Sequence, residues 1–156
     1  EAIQLALDRD TWSAAAACRP EALVFHPKST ICRDISEKLG VPAILALLQP
    51  VLVPTGDFPS PIAPALPFGR WYNHASYAPA LAIAPAYSAK FVRSLRRENG
   101  LAERSTSRHP LKRTDGGPLP VLHAHSPSLV PRPEDWPPNV EVTGDWPLGP
   151  GPGAAA

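Results

Sequence analysis

Two short apolar runs on either side of an amphipathic segment form the clearest pattern in this chain. Residues 22–25 and residues 43–48 are apolar without alternation, which is typical of strands that are covered on both faces. Between them, Ile31, Ile35 and Leu39 recur at every fourth position and therefore share one face of a helix. The order strand, helix, strand predicts a β-α-β unit with adjacent parallel strands, and hence an α/β fold.

Polar residues predict the limits and the outer face of this helix. Ser29 or Thr30 is expected to cap its start, and Gly40 is expected to end it in the left-handed conformation that glycine tolerates. The apolar face of the helix should turn toward the sheet. The opposite face is charged, and we expect water to cover its four charged residues, which are Arg33, Asp34, Glu37 and Lys38.

Weaker patterns predict the remaining secondary structure. Loosely periodic apolar residues predict helices over residues 1–18 and residues 69–99, the second with kinks or breaks at its internal prolines. Short apolar runs predict further strands at residues 120–125 and residues 140–143. Six prolines exclude regular structure from residues 49–68, where we expect an ordered loop that forms the wall of a site.

The composition narrows the class of protein. A chain of 156 residues that is 44% apolar can bury the core of one domain, and a net charge of +1 favours no nucleic-acid partner. No apolar run approaches the roughly 20 residues of a membrane helix. The 22 prolines exceed the roughly 8 expected at about 5% usage. The chain has no methionine and begins within a predicted helix, so we expect it to be a fragment of a longer protein.

Cysteine and histidine spacing gives little support for a metal site. Cys18 and Cys32 form neither a disulfide framework nor a metal-binding pattern, and they favour the reducing cytoplasm. His123 and His125 alternate on a predicted strand and therefore share a face. Because no third ligand accompanies them, we expect no metal and no cofactor.

The aromatic residues leave two alternatives open. Trp71, Tyr72 and Tyr77 either form a platform for a ligand or pack in the core, and helical spacing favours the core. Trp136 and Trp146 are expected to pin the extended, proline-rich C-terminal segment to the domain. These residues alone therefore do not define a site.

Three segments together resemble one enzyme family. They are HPKSTICRDISEKLGVPAILALLQPVLVPTGDFPSP, FGRWYNHASY and GPLPVLHAHSPSLVPRPEDWPPNVEVTGDWPL. In this order they resemble the sterol and lipid glucosyltransferases of bacteria and fungi, which are related to the glycopeptide-antibiotic and macrolide glycosyltransferases. The resemblance runs from about Trp12 to Leu148 except for residues 102–117. Its most specific parts are PTGDFPSP and SPSLVPRPEDWPPNVEVTGDWPL.

The resemblance implies a GT-B architecture, in which two Rossmann-like domains face each other across a cleft. One domain binds the acceptor, and the other binds a nucleotide sugar, usually UDP-glucose. Residues 1–144 resemble the second half of the acceptor domain, and residues 145–156 would be an interdomain linker or tail. Asp145 and Pro147 stand where the family more often has an aromatic pair. The catalytic base and the donor domain are expected outside this chain, so the chain alone should transfer no sugar.

The candidate site residues are His26, Lys28, Gln49, Thr55, Asp57 and Phe58. His26 follows a predicted strand and has the chemistry of an acid or base, although it is more often a loop residue bonded to backbone. Lys28 is a candidate for a phosphate or a sugar hydroxyl, or is a plain surface lysine. The other four belong, by resemblance, to the loop that lines the acceptor pocket, and Phe58 alternatively packs in the core.

The implied partners are an apolar alcohol, such as a sterol or lipid, and a UDP-sugar held by the absent donor domain. The resemblance also leaves room for peripheral membrane contact by the full-length protein. A rival hypothesis is a Rossmann-like module without catalytic activity, which binds an apolar ligand or a partner protein. An adjoining donor domain in the gene would discriminate between the two hypotheses.

Overall fold

The secondary structure comes from a computed structural model, which describes residues 2–103 and 109–147, apart from the side chains of residues 2 and 84–91. Within these ranges the helices are α1 (Ala2–Cys18), α2 (Cys32–Leu39), α3 (Gly69–Ala75) and α4 (Ala78–Glu98). The strands are β1 (Leu23–Phe25), β2 (Ala43–Leu47), β3 (Val121–His123) and β4 (Val140–Val142). The start of the predicted first helix at Glu1 and residues 148–156 of the predicted linker lie outside the described residues.

The four strands form one parallel sheet in the order β1-β2-β3-β4. Leu23 of β1 lies opposite Ala43 of β2, and α2 connects these strands, so the predicted β-α-β unit is confirmed. The two later strands are also confirmed, although each is shorter than predicted. The protein therefore has an α/β fold with a parallel sheet of the Rossmann-like kind.

The two faces of the sheet differ in burial, so the prediction that both faces are covered is wrong. On one face, Leu45 and Leu47 are buried in the main core, together with Cys32 of α2. On the other face, Ile44 is only partly buried and Val24 is exposed. The reason is that the described residues pack their apolar side chains mainly against the first face.

The apolar face of α2 contributes to a second core among the helices. Ile31 and Ile35 are buried with Trp12 of α1 and Leu95 of α4. The face thus meets two helices rather than the sheet alone, because the long helices α1 and α4 lie over it. Leu39 is only partly buried at the edge of this cluster.

The two ends of α2 differ in how well the sequence predicts them. The prediction that Ser29 or Thr30 caps the start with its side chain is wrong, because Ile31 takes the N-cap position and no side chain bonds there. The backbone supplies the turn instead, with the Cys32 N–H donating to the Ser29 carbonyl at 3.1 Å. Gly40 ends the helix with φ of 69°, as predicted.

The prediction that water covers the charged face of α2 is wrong for Arg33 and Asp34 and is confirmed for Glu37 and Lys38, which are exposed. Arg96 of α4 is buried and donates hydrogen bonds to the Asp34 carboxylate and, at 2.8 Å, to Glu37. Arg33 donates to the carbonyls of His109 and Lys112, each at 2.7 Å. Asp34 is buried and Arg33 is partly buried because partners distant in sequence pack over them.

The predicted helix over residues 69–99 is broken at one of the expected places. The break falls at Ser76 and Tyr77, just before Pro79 in the first turn of α4, where a proline is tolerated. The helix continues through Pro85, so this proline does not end it. No helix among the described residues is both long and apolar enough to cross a bilayer.

Candidate functional site

A cavity of about 870 Å³ lies beyond the carboxyl end of β2. In parallel α/β sheets this edge is where ligands bind. Two separate stretches of the chain line the cavity, and we call it the edge cavity. The first stretch supplies Gln49, Pro50, Asp57, Phe58 and Pro61, and the second supplies Leu129, Val130, Pro131 and Arg132.

The lining of the edge cavity is mainly apolar. Phe58, Leu129 and Val130 supply apolar surface, while Gln49 and Arg132 bring polar groups. Sites for small apolar ligands combine such a wall with a few polar groups that fix the ligand's orientation. The cavity can therefore hold an apolar molecule that carries a hydroxyl group.

Phe58 occupies an intermediate position between the cavity and the core. Its side chain is partly buried and packs against the main core, while it also lines the edge cavity. Its carbonyl accepts a hydrogen bond from the buried Tyr77 hydroxyl at 3.4 Å. Both functions that the sequence offered for Phe58, a contact residue and a core residue, are thus compatible with its position.

Asp135 holds the loop that carries Asp57 and Phe58. One carboxylate oxygen accepts from the Thr55 hydroxyl at 2.7 Å, and the other accepts from the Gly56 N–H at 2.7 Å. Thr55 is completely buried and also accepts from the Asp57 N–H at 3.1 Å. Thr55 therefore lies behind the cavity wall and supports the loop, rather than facing the cavity.

Helix α3 adds a second layer of contacts around Asp135. Arg70 donates to Asp57 at 2.6 Å and to Asp135 at 3.2 Å, and the His74 Nε2 atom lies 3.2 Å from Asp135. Asn73 donates to the Gly56 carbonyl at 2.8 Å. We call Asp135 and the four residues that contact its carboxylate the Asp135 latch. These four residues are Thr55, Gly56, Arg70 and His74.

The charge of Asp135 is stabilised by its partners. Burial by itself would raise the pKa of Asp135, but hydrogen bonds from Gly56 and Thr55, with His74 and Arg70 nearby, lower it below its ordinary value. Asp135 is therefore a carboxylate at neutral pH and accepts all of these hydrogen bonds at once.

Arg132 orders the other wall of the edge cavity. Its guanidinium group donates to the Val140 carbonyl at 3.0 Å, to the Trp136 carbonyl at 2.8 Å and to the Pro137 carbonyl at 3.0 Å. The segment that follows the cavity wall is thereby tied to the start of β4. Both walls are thus held by hydrogen bonds that involve charged side chains: Asp135 accepts them on one wall, and Arg132 donates them on the other.

His26 and Lys28 lie outside the lining of the edge cavity. Both are exposed in the loop that follows β1. The His26 Nδ1 atom accepts from the Lys28 N–H at 3.3 Å, and the His26 carbonyl accepts from the Ser29 N–H at 2.8 Å. This is the backbone-bonded arrangement that the sequence allows as the alternative for His26.

His123 and His125 are buried beside Trp136. The ring of His123 stacks on Trp136 with 4.4 Å between ring centroids, and His125 lies edge-on at 5.3 Å. Neither ring nitrogen of His123 has a hydrogen-bond partner among the described residues. Burial, with a smaller contribution from His125, lowers the pKa of His123 to about 4. A neutral His123 therefore packs as an aromatic ring.

Metal binding has no support in the described part of the chain. No group of three or more histidine, cysteine, aspartate or glutamate side chains is placed there to hold an ion.

Trp136 is buried and pins its segment as predicted, whereas Trp146 is half exposed and donates to Thr143 at 2.9 Å. Of the proposed platform, Tyr77 is in the core and Trp71 is exposed, so those residues separate.

Sequence reasoning did not single out Asp135, Arg132 or Arg70. Asp135 and Arg132 lie within one of the two most specific segments of the resemblance, and that position was the available signal. No protein-family model matches this chain, and no curated protein matches it. The functional interpretation therefore depends on the edge cavity and the Asp135 latch.

Proposed function

We propose that this chain is the acceptor-binding part of a glycosyltransferase related to the sterol and lipid glucosyltransferases. The enzyme would move a hexose, such as glucose, from a UDP-sugar to the hydroxyl of an apolar alcohol. One observation carries the proposal. The two most specific segments of the resemblance are distant in sequence, yet Asp57, Phe58 and Pro61 of one and residues 129–132 of the other line the same cavity.

The size and chemistry of the edge cavity support an apolar acceptor. Its volume of about 870 Å³ lies within the roughly 300–1,000 Å³ of small-molecule sites. Phe58 and Leu129 would contact the apolar body of the acceptor. Gln49, Asp57 and Arg132 are the polar groups that would orient its hydroxyl.

The strand order supports the proposal that these four strands form one half of a larger sheet. In a doubly wound sheet, each half runs in sequential order outward from a switch point, where the ligand crevice opens. The order β1-β2-β3-β4 matches one such half, with β1 at the switch point. His26 and Lys28 follow β1, so they would face the crevice that the other half completes.

The remaining parts of the reaction would come from outside this chain. A base must deprotonate the acceptor hydroxyl, which then attacks the anomeric carbon as UDP leaves. We assign neither that base nor the UDP site to a residue of this chain. Cys18 and Cys32 are free thiols, which suits a cytoplasmic enzyme.

Kinetics of the full-length enzyme test the contribution of Phe58. Phe58→Ala removes a phenyl ring whose burial is worth roughly 1.5–3 kcal/mol, so the acceptor KM should rise about tenfold to a hundredfold. The KM for the UDP-sugar should stay unchanged. Phe68→Ala is the matched control, because Phe68 is exposed outside the cavity lining. An unchanged acceptor KM, or equal changes for both substrates, would remove Phe58 from the acceptor site.

The isolated chain provides a second test. We expect no glucoside from UDP-glucose and a sterol or flavonoid alcohol by mass spectrometry, and no heat of binding for UDP by calorimetry. Positioning two substrates supplies roughly 7–11 kcal/mol of barrier lowering, which half a site cannot provide. Micromolar UDP affinity would contradict the assignment to the acceptor half. An intact gene product that binds the alcohol but transfers no sugar would favour the rival binding module.

A further inference from the structure

A cavity of about 370 Å³ lies at the amino ends of β3 and β4, and we call it the second cavity. It shares no lining residue with the edge cavity, which opens beyond the carboxyl end of β2. Its volume lies within the roughly 300–1,000 Å³ of small-molecule sites. Its described lining is Val53, Pro54, His109, Leu111, Lys112, Gly116, Pro118, Val121, Pro137, Asn139 and Val140.

The loop of residues 109–118 forms one wall of the second cavity and is fixed at several points. Arg33 of α2 donates to the carbonyls of His109 and Lys112, each at 2.7 Å. Lys112 pairs with Pro118 in an antiparallel bridge, and the Leu119 N–H donates to the Leu111 carbonyl at 3.2 Å. A wall that is ordered before a ligand arrives lowers the entropy cost of binding.

The walls of the second cavity are mainly apolar and stiff. Leu111 is partly buried and packs against the main core, and Val121 of β3 lies behind it in that core. Pro54, Pro118 and Pro137 supply further apolar surface, and each has a backbone φ that its ring fixes. These walls require a ligand with an apolar body.

One positive charge stands at the mouth of the second cavity. Lys112 is exposed, it is the only described lining residue with a full charge, and its ammonium group has no ion-pair partner among the described residues. The next residue, Arg113, is already paired with Asp115 at 2.7 Å. Burial first, and then the positive charges of Lys112 and Arg33, lower the pKa of His109. The mouth therefore carries positive charge that no described lining residue balances.

An apolar wall beside one uncompensated cation is complementary to an apolar molecule with one negative group. No arginine is present in the described lining to form the fork of donors that favours phosphate, so a carboxylate is the better match. We propose that the second cavity binds a small carboxylic acid with an apolar body, whose carboxylate pairs with the Lys112 ammonium group. This binding does not depend on sugar transfer, so failure of the proposed function would leave it standing.

Three ligands of similar shape test the charge requirement: 2-naphthoate, neutral 2-naphthylmethanol and the 2-naphthylmethylammonium ion. Amide NMR titrations of the full chain at neutral pH report affinity at Leu111, Gly116 and Asn139, separately from the edge cavity. The acid should bind about tenfold more tightly than the alcohol, because only the carboxylate forms a charge-assisted hydrogen bond with Lys112. The ammonium ion should bind most weakly, because it meets a like charge.

Charge variants of Lys112 test which group selects the acid. Lys112→Gln should remove most of the tenfold preference for the acid over the alcohol, and Lys112→Glu should make the ammonium ion the tightest ligand of the three. Lys38→Gln is the matched control, because Lys38 is an exposed lysine on α2 outside the cavity lining. This control should keep the preference of the wild type. Lys112 is exposed, and equal thermal melting curves establish that all three variants fold.

A change in the wall separates apolar burial from charge. Leu111→Ala should weaken the acid and the alcohol by the same factor, on the order of tenfold, and should keep the preference between them. Equal affinities for the three ligands in the wild type would overturn the proposal. So would a preference for the acid that survives Lys112→Gln, or shifts from the acid that appear only at edge-cavity amides such as Phe58 and Leu129.

Discussion

Two networks of arginine and carboxylate groups hold different parts of this chain, and they differ mainly in burial. Arg96 and Asp34 are only 1% and 2% exposed, and they fasten α4 to α2. In the Asp135 latch, the Arg70 side chain is 67% exposed and that of Asp135 is 23% exposed. The first network can only support the fold, whereas the second leaves charged groups beside a cavity that a ligand can reach.

The two networks differ in what shifts the pKa values of their charged groups. Burial opposes the charge on Arg96, but hydrogen bonds to Glu37 and Asp34 still raise its pKa above the ordinary value. The same hydrogen bond from Arg96 lowers the pKa of Glu37. In the Asp135 latch, the donors that lower the pKa of Asp135 most are neutral, the Gly56 N–H and the Thr55 hydroxyl, and solvent is close by. We therefore expect substitutions in the buried network to affect stability most.

The largest expected effect comes from Arg96→Ala. This change leaves Asp34 buried without its partner, and breaking such a pair costs about 3–5 kcal/mol. Urea denaturation measures the loss in the free energy of unfolding. If the single variant does not fold, the double variant Arg96→Leu, Asp34→Leu should restore a folded protein, because no charge then remains buried between α2 and α4. If Arg96→Ala lowers the free energy of unfolding by less than about 1 kcal/mol, the pair contributes no more than a surface ion pair, which contradicts the prediction.

A smaller effect is expected for Asp135→Ala. It leaves the Gly56 N–H and the Thr55 hydroxyl without their acceptor, which costs about 1–3 kcal/mol. Binding of an apolar alcohol should weaken as well, since the loop that carries Phe58 loses its support. Glu134→Ala is the matched control, because Glu134 is the exposed acidic neighbour of Asp135. Equal stability and equal ligand affinity in both variants would show that the latch does not position the cavity.

As the pH falls, protonation of His123 should lower the free energy of unfolding before protonation of Asp135 does. The folded-state pKa of His123 is about 4, against an ordinary 6.5, so the unfolded chain binds more protons between these values. Stability is therefore full above pH 6.5 and falls as the pH drops toward 4, by about 2 kcal/mol at pH 5. The Asp135 contribution is lost only at lower pH, near and below its ordinary value of 3.8.

Melting temperature against pH measures this effect. His123→Phe retains a ring that can stack on Trp136 but cannot take up a proton, so it should flatten the decline between pH 6.5 and 4. His125 faces His123 edge-on and is the other titratable group of this cluster. An unchanged slope in the variant would assign the acid sensitivity to another group.

The smallest effect is expected for Arg70→Ala. Although Arg70 contacts both Asp57 and Asp135, exposed ion pairs contribute only about 0–1 kcal/mol. A loss near that of Arg96→Ala would show that burial does not explain the difference between the two networks. Denaturation of both variants under the same conditions gives the comparison directly.

The features that could be predicted from the sequence are those that depend on the spacing of neighbouring residues. The β-α-β unit and the left-handed Gly40 follow from residues close to one another in the chain, and both are confirmed. The burial of Asp34 on the charged face of α2 was not predicted because its partner, Arg96, is 62 residues away. Spacing within one helix cannot reveal a group that packs over it from another helix.

The candidate site shows the same limit. Gln49, Asp57 and Phe58 line the edge cavity, whereas Thr55 supports the loop from behind. The hydrogen bond that decides the position of Thr55 reaches a residue 80 positions away, Asp135. The opposite wall of the cavity also comes from that distant segment, so only the folded chain could reveal it.

The most direct measurement is an amide NMR titration of this chain with a water-soluble sterol analogue. If the edge cavity binds an apolar alcohol, shifts should appear in both stretches of its lining, at Asp57 and Phe58 and at Leu129 and Val130. Amides of α1 should not move, and UDP should cause no shifts at all. Shifts confined to one stretch, or absent from both while the ligand binds elsewhere, would contradict an acceptor site built from the two segments.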